Sequence, residues 1–259
     1  MNFLDFILKR VDLSKEILIV TGANGTTGGR PGGVKIWSIN CTILAWKEIN
    51  RKIIIEKKTL RTKGDDKKLS DLRKQLRANG IYKIKVTDKG NDFEFQEFIG
   101  EAKDPELEAF LAEQLKPVYF QDDRFGKLKL DRVVEWFECK AEWMEKDAML
   151  CIESIEEEAM KEMFETGYAL FDNQAEWDEK IRTFACEELL KIKNKSWLGD
   201  GEDELTPEDF KKIMILEGIN LNGNGKFVFW FDDGGIFGGH SITVYGSLAE
   251  GLLRAEISG

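Results

Sequence analysis

The sequence contains few of the residues on which common catalytic and metal sites depend. Its 259 residues include one His, which is His240, and four Pro. A metal site with several His ligands and a relay between two imidazoles are therefore excluded. We expect no bound metal and no resident cofactor.

The four cysteines are scattered along the chain. Cys41, Cys139, Cys151 and Cys186 are separated by 98, 12 and 35 residues, so no CxxC pair exists. Neither a zinc knuckle nor a thioredoxin-type motif is present. We expect reduced thiols, buried as small apolar side chains, in a cytoplasmic protein.

Long apolar segments are missing as well. No run reaches the ~18–20 uninterrupted apolar residues that a membrane-spanning helix requires. The first ten residues, MNFLDFILKR, place Asp5 inside the apolar stretch and the cations after it. A signal peptide has the opposite order. We therefore expect no leader and no membrane partner.

Charge is abundant but unevenly distributed. The chain holds 38 Lys+Arg and 48 Asp+Glu, a net charge of −10. Residues 1–124 carry a net charge of +4, whereas residues 125–259 carry 15 cations and 29 anions, a net charge of −14. This asymmetry indicates two units. Because Pro117 and the Asp122-Asp123 pair favour a turn, we expect one unit over residues 1–118 and another over 125–259.

The first unit is predicted to be a small β-rich, barrel-like unit. Strands are predicted near 16–20, 34–46, 52–60 and 82–88, with another from Phe93. A helix over 67–79 is predicted between the third and fourth, because its leucines recur at helical spacing. This order is that of an OB-type barrel. Asp104-Pro105 predicts the start of a further helix, with a buried stripe ending at Leu115.

The second unit is predicted to be an antiparallel sheet with helices. Strands are expected near 127–131, 134–144 and 148–154, then helices, then strands at 226–231, 240–246 and 252–257. Thr206-Pro207 is predicted to begin the last helix. Strands and helices that do not alternate singly favour an α+β fold.

The glycine-dense stretch at 17–33, ILIVTGANGTTGGRPGG, resembles the dinucleotide-binding turn of short-chain dehydrogenases in its first half. Such a site needs a helix immediately after the glycines. Here Gly28-Gly29 leads into Pro31 and a β-rich segment. We therefore expect a loop between strands, and no nicotinamide cofactor.

Two further motifs have a structural and a functional interpretation. NLNGNG at 220–225 is similar to the start of a calcium loop, but Phe231 occupies the closing position, so we favour a hairpin turn. Residues 47–89 carry 15 cations and 6 anions. Together with Trp37, Trp46 and Tyr82, these cations could bind single-stranded nucleic acid by charge and stacking. A basic face exposed to solvent is our preferred interpretation.

One cluster remains as a candidate site. FDDGGIFGGH at 231–240 places Asp232, Asp233, Phe237, Gly239 and His240 close together in sequence. A carboxylate near an imidazole suits a general base or a ligand clamp. Period-two alternation, however, puts His240 in phase with inward-facing strand residues. A structural lock is favoured over a binding site, and a binding site over catalysis.

The second unit resembles the bacterial family filed as domain of unknown function 2262. The resemblance rests on FGKLKLDRVVEWFECKAEW at 125–143, LTPEDF at 205–210 and NGKFVFWFDDGGIFGGHSITV at 224–244. It implies a domain boundary and a bacterial setting, and it implies no activity.

We expect a non-enzymatic interaction module whose acidic second unit meets a basic protein partner. One alternative is a small-molecule binder or enzyme centred on Asp232, Asp233 and His240. A second alternative is a nucleic-acid binder that uses the basic first unit.

Overall fold

The computed structural model describes residues 14–259. The chain forms two compact units, one ending at Lys116 and the other spanning Pro117–Gly259. Each unit contains one sheet together with helices, which confirms the mixed α+β class. Our expectation that the chain has no leader rests on residues 1–13, which lie outside the described residues.

Five strands and two helices are described in the first unit. They are β1 (Ser14–Gly29), β2 (Trp37–Glu48), β3 (Lys58–Gly64), α1 (Asp66–Gln75), β4 (Ile81–Asp88), β5 (Asp92–Glu101) and α2 (Pro105–Gln114). The strands close into a ring in the order β1-β2-β3-β5-β4. The β3–β5 pair is parallel, and the other pairs in the ring are antiparallel.

α2 begins at its predicted cap, whereas α1 spans Asp66–Gln75 and ends four residues before the end of the helix predicted over 67–79. Asp65 accepts a hydrogen bond from the backbone N of Lys68 and caps α1, whose buried leucines join the core inside the ring. Asp104 accepts from the backbone N of Glu106 and Leu107, as predicted. The stripe of α2 is shorter than predicted, because the helix ends at Gln114 and Leu115 is 52% exposed.

The glycine-dense stretch, which we expected to be a loop between strands, is largely extended chain within β1. β1 continues through Gly28 to Gly29, and the next element is β2. A Cβ added at Gly28 would lie 2.9 Å from both methyl carbons of Leu69, so glycine lets α1 pack directly on the strand. The helix start that a dinucleotide cradle requires does not follow Gly28.

The second unit contains eight strands and three helices. They are β6 (Tyr119–Asp122), β7 (Gly126–Asp131), β8 (Trp136–Trp143), β9 (Lys146–Ile152), α3 (Glu157–Asp172), α4 (Gln174–Ser196), α5 (Pro207–Ile213), β10 (Ile215–Asn222), β11 (Lys226–Asp232), β12 (Ser241–Ser247) and β13 (Gly251–Ser258). The strands form one sheet in the order β13-β12-β11-β10-β9-β8-β7-β6.

The prediction of a purely antiparallel sheet is wrong at one pair. β9 and β10 are parallel, and they join two antiparallel four-stranded meanders. All three helices lie in the connection between these two strands. The connection carries the chain from the end of β9 back to the edge of the sheet at which β9 begins, so β10 runs parallel to β9. Neither β10 nor β6 was predicted from the sequence.

The core of the second unit lies between the helices and one face of the sheet. On β8, Phe137 and Trp143 are buried against the helices, whereas Lys140 and Glu142 are exposed, as period-two alternation requires. Thr206 caps α5 by accepting from the backbone N of Asp209, as predicted. Within residues 14–259, no helix has both the length and the apolar character needed to span a bilayer.

Candidate functional site

Asp233 is the centre of the loop that joins β11 to β12. Its side chain is buried, with 1% of the residue exposed. Its Oδ1 accepts from the backbone N of Gly235 at 2.8 Å, and its Oδ2 accepts from those of Phe237 at 2.6 Å and Gly239 at 3.3 Å. Three backbone donors of the loop therefore converge on this carboxylate.

The glycines of this loop have backbone conformations that other residues rarely adopt. Gly234, Gly235, Gly238 and Gly239 have φ values of 59°, 87°, 70° and 87°. A Cβ at Gly234 would also lie 2.3 Å from Cγ2 of Ile213. The paired glycines allow the loop to fold around one carboxylate.

Phe237 anchors the loop in the core. The residue is fully buried. Its ring makes edge contacts with Trp197 and Phe210, at centroid distances of 5.6 Å and 6.3 Å. The loop is therefore stabilised in two ways: its backbone donates hydrogen bonds to the Asp233 carboxylate, and its Phe237 ring packs in the core.

His240 lies apart from the two carboxylates. Its half-buried imidazole makes an edge contact with Trp197 at a centroid distance of 5.7 Å. Asp232 is exposed and accepts from the backbone N of Gly234 at 2.7 Å. No hydrogen bond joins His240 to Asp232 or Asp233 in the described part of the chain. The structure thus brings together Asp233, Phe237 and Gly239, but it does not form the carboxylate–imidazole pair considered above.

The residues that support this loop from α4 were not predicted from the sequence. Lys193 is 1% exposed, and its Nζ donates to the carbonyl oxygen of Trp197 at 2.8 Å and to both carboxylate oxygens of Glu202 at 2.9 Å. Hydrogen bonds from the backbone of Gly199 and from Lys193 lower the pKa of Glu202. One signal could have indicated that Lys193 is buried: it lies four residues after the buried Leu189, on the same face of the helix.

The aromatic residues nominated for nucleic-acid stacking do not form a platform. Trp46 and Tyr82 are buried in the core of the first unit. Nε1 of Trp37 donates a hydrogen bond to Asp66 at 2.6 Å. The guanidinium carbon of Arg30 lies over the Trp37 ring, 4.1 Å from the ring centroid.

Many cations of the basic segment are already paired within the first unit. Lys47 is buried and contacts Asp104 at 3.0 Å and Glu106 at 2.6 Å. Lys58 is also buried, and its Nζ donates to the carbonyl oxygen of Gly90. These contacts show that Lys47 and Lys58 stabilise the folded unit and do not belong to a basic face that is open to a ligand.

The remaining motifs have structural positions. Asn224 and Gly225 have φ values of 62° and 66° in the turn between β10 and β11, which confirms the predicted hairpin. Within the described residues no group of three or more His, Cys, Asp or Glu is placed to hold a metal ion.

All four cysteines are free, and three of them are buried. Burial raises the pKa of Cys41 and of Cys151 to about 12, and raises that of the half-buried Cys139 to about 11. These thiols are poor nucleophiles, because the thiolate is the reactive form.

Acidic side chains dominate the solvent-facing side of α3 and the residues before it. Glu156, Glu157, Glu158, Glu162 and Glu165 are exposed. Lys161 is the one cation between positions 153 and 165, and it contacts Glu158 at 2.8 Å and Glu157 at 3.8 Å. Three carboxylates of this acidic face, those of Glu156, Glu162 and Glu165, have no ion pair among the described residues.

The fold and the glycine loop define a two-unit α+β protein with a ring of five strands and an eight-stranded sheet covered by helices on one face. The family described as "Uncharacterized protein conserved in bacteria (DUF2262)" matches residues 122–257, more than half of the chain. The chain belongs to this family, which confirms the resemblance noted from its sequence. A second family model, "Domain of unknown function (DUF7021)", matches residues 5–114. No curated protein matches the chain.

Proposed function

We propose that the chain is a non-enzymatic interaction module whose second unit binds a basic protein partner. The observation that carries this proposal is the acidic face of α3, which presents five exposed carboxylates and one Lys. Charge of one sign attracts a partner of the opposite sign and accelerates association. The net charge of −14 over residues 125–259 extends the same field. The four free thiols support a cytoplasmic location as part of this proposal.

Affinity capture from a bacterial lysate, followed by charge reversal, tests the proposal. We expect a basic partner whose binding weakens with salt and is lost in the double variant Glu162→Lys, Glu165→Lys. The matched control is Glu187→Lys, Glu188→Lys, which makes the same charge change on exposed positions of α4. Equal binding by the two double variants would refute a role for the acidic face.

Nucleic-acid binding by the first unit is the second candidate function, and we propose that this unit is OB-like. The strand order of the ring, with α1 between β3 and β4, supports an OB-type barrel. A cavity of about 570 Å³ lies against β2, β3 and β5, with Arg61, Lys63 and Lys89 at its wall. Arg61 is partly neutralised there, because its Nε lies 2.7 Å from Asp92.

Titration with a fluorescent single-stranded oligonucleotide at several salt concentrations tests this candidate. If it is correct, Lys63→Glu weakens binding and lowers the salt slope by about one. Lys74→Glu on α1 is the matched control and leaves both unchanged. Absence of binding at low salt would remove nucleic acid from consideration.

For the loop between β11 and β12 we propose a structural lock rather than an enzyme or small-molecule site. The convergence of three backbone donors on Asp233 supports this role. Thermal shifts with nucleotides, sugars and metal ions, measured on the native chain and on His240→Ala, test the alternative. A ligand-induced shift that disappears in a folded His240→Ala protein would favour a ligand site.

A further inference from the structure

A cavity of about 450 Å³ lies in the second unit where the β8–β9 hairpin, α4, α5 and the start of β10 meet. Its size is within the range of small-molecule sites. The apolar part of its wall is formed by Trp143, Met144, Met214, Ile215 and Leu216. None of these residues belongs to the loop around Asp233 or to the acidic face of α3.

Arg182 is fixed at the wall of this cavity. Its Nε donates to Asp178 at 2.7 Å, and its Nη1 donates to the carbonyl oxygens of Lys211 at 2.8 Å and Met214 at 2.7 Å. Trp143 holds the other carboxylate oxygen of Asp178 through Nε1 at 3.1 Å. The Nη2 group of Arg182 makes no hydrogen bond within residues 14–259. The guanidinium is therefore oriented in advance and keeps a free donor group.

The other charged residues of the cavity wall are balanced, with three cations and three anions, but one of these anions is paired outside the cavity. Lys211 is paired with Glu179 at 2.8 Å, and Asp147 contacts Lys140, outside the cavity, at 3.5 Å. Lys146, Lys212 and Glu208 have no ion pair among the described residues. Two unpaired cations thus face one unpaired anion, within a unit whose net charge is strongly negative.

The hairpin turn beside the cavity has an unusual backbone. Met144 and Glu145 have φ values of 48° and 62°, a conformation in which long side chains are uncommon. The backbone N of Met144 donates to Oε1 of Gln174 at 2.8 Å, which ties the turn to α4. The turn places Met144, a flexible apolar side chain that is 43% exposed, at the cavity.

We propose that this cavity binds a small organic anion with an apolar body. The acid group would be held by Arg182 and by Lys146 or Lys212, and the apolar body would lie against Met144 and Ile215. A planar guanidinium with a free donor recognises carboxylate, sulfonate and phosphate groups well. This site is independent of the proposed protein partner, because it uses neither the acidic face of α3 nor the first unit.

Two fluorescent probes that share an aromatic body test the proposal on the full chain. The first is 1-anilinonaphthalene-8-sulfonate, and the second is N-phenyl-1-naphthylamine, which lacks the sulfonate. We expect the sulfonate probe to bind at least tenfold more tightly than the neutral probe. Equal affinities, or no binding of the sulfonate probe, would overturn the proposal.

Variants then locate the binding. Lys212→Glu is expected to weaken binding of the sulfonate probe about tenfold and to leave binding of the neutral probe unchanged. Ile215→Ser is expected to weaken binding of both probes. The matched control is Lys226→Glu, the same charge change at an exposed position of β11, and it leaves both affinities within twofold. Equal weakening by Lys212→Glu and Lys226→Glu would indicate a general effect of charge and would refute the site.

Discussion

Replacing Asp233 with Asn is expected to destabilise the second unit, because an amide has one acceptor oxygen where the carboxylate has two. If the amide nitrogen of Asn faces the backbone N of Gly235, one hydrogen bond is lost and two donors oppose each other. If it faces the backbone N of Phe237 and Gly239, two hydrogen bonds are lost. A hydrogen bond to a charged group contributes about 1.5–3 kcal/mol, and a buried unsatisfied donor costs about 1–3 kcal/mol. We therefore expect Asp233→Asn to lower the free energy of unfolding by about 2–4 kcal/mol.

Urea unfolding followed by tryptophan fluorescence measures this change, since Trp197 contacts Phe237 in the same loop. A lower midpoint at constant slope reports lost stability. Asp232→Asn is the matched control, because Asp232 is exposed and accepts a single bond within the loop. Its expected cost is below about 1 kcal/mol. Equal midpoints for Asp232→Asn and Asp233→Asn would refute the structural role of the buried carboxylate.

Three further predictions concern the second unit and the thiols. Gly234→Ala should cost at least about 3 kcal/mol and Gly239→Ala about 1–2 kcal/mol in urea unfolding, because both have left-handed φ but only Gly234 would also clash. Burial and the hydrogen bond to a neighbouring carboxylate raise the pKa of Tyr168 to about 12. Because its unfolded pKa is about 10, stability should fall between pH 10 and 12, and less so in Tyr168→Phe, as measured by urea midpoints. Iodoacetamide at pH 8 should leave Cys41 and Cys151 unmodified in the folded chain and modify them in urea, as detected by mass spectrometry.

Each of these predictions has a clear contrary result. Equal costs at the two glycines would remove the steric argument, and identical alkaline behaviour of Tyr168→Phe and the native chain would show that the phenol does not titrate as described. Rapid labelling of Cys41 in the folded chain would contradict its burial.

Local patterns predicted much of the fold because the forces behind them are local. Thr206 and Asp104 cap helices as expected, since a side-chain acceptor before a proline leaves few alternatives. Alternation on β8 separated the buried Phe137 and Trp143 from their exposed neighbours. The prediction that no helix follows the glycines before Pro31 was correct, although these glycines belong to a strand rather than to a loop.

The errors came from contacts between distant segments. β10 is a short run between a helix and a hairpin, and its parallel pairing with β9, which lies more than sixty residues earlier in the chain, had no signal in the sequence. The contact of the half-buried His240 imidazole with Trp197 joins two distant segments, and alternation along one strand does not show it. Lys58 belongs to the basic segment that was considered for nucleic-acid binding, but it is buried and its ammonium group donates to the Gly90 carbonyl.

The cavity beside Arg182 had no sequence signal of its own. Its residues come from a hairpin, two helices and a strand, and they lie next to one another only after the helices have packed. Asp178 and Arg182 show the spacing of an ordinary helical ion pair. Such spacing is typical of a solvated ion pair, whereas the structure places an oriented guanidinium here.

The parallel pairing of β9 with β10 has a consequence for the order in which the second unit assembles. Each meander consists of neighbours in sequence and can form without long-range closure. The seam between β9 and β10 pairs residues 149–152 with residues 218–221, so the whole helical connection must be closed before it forms. Non-local pairings of this kind slow folding, because chain entropy is lost before contacts are gained. We expect the two halves of the sheet to acquire protection from hydrogen exchange early and the seam between them to acquire it last.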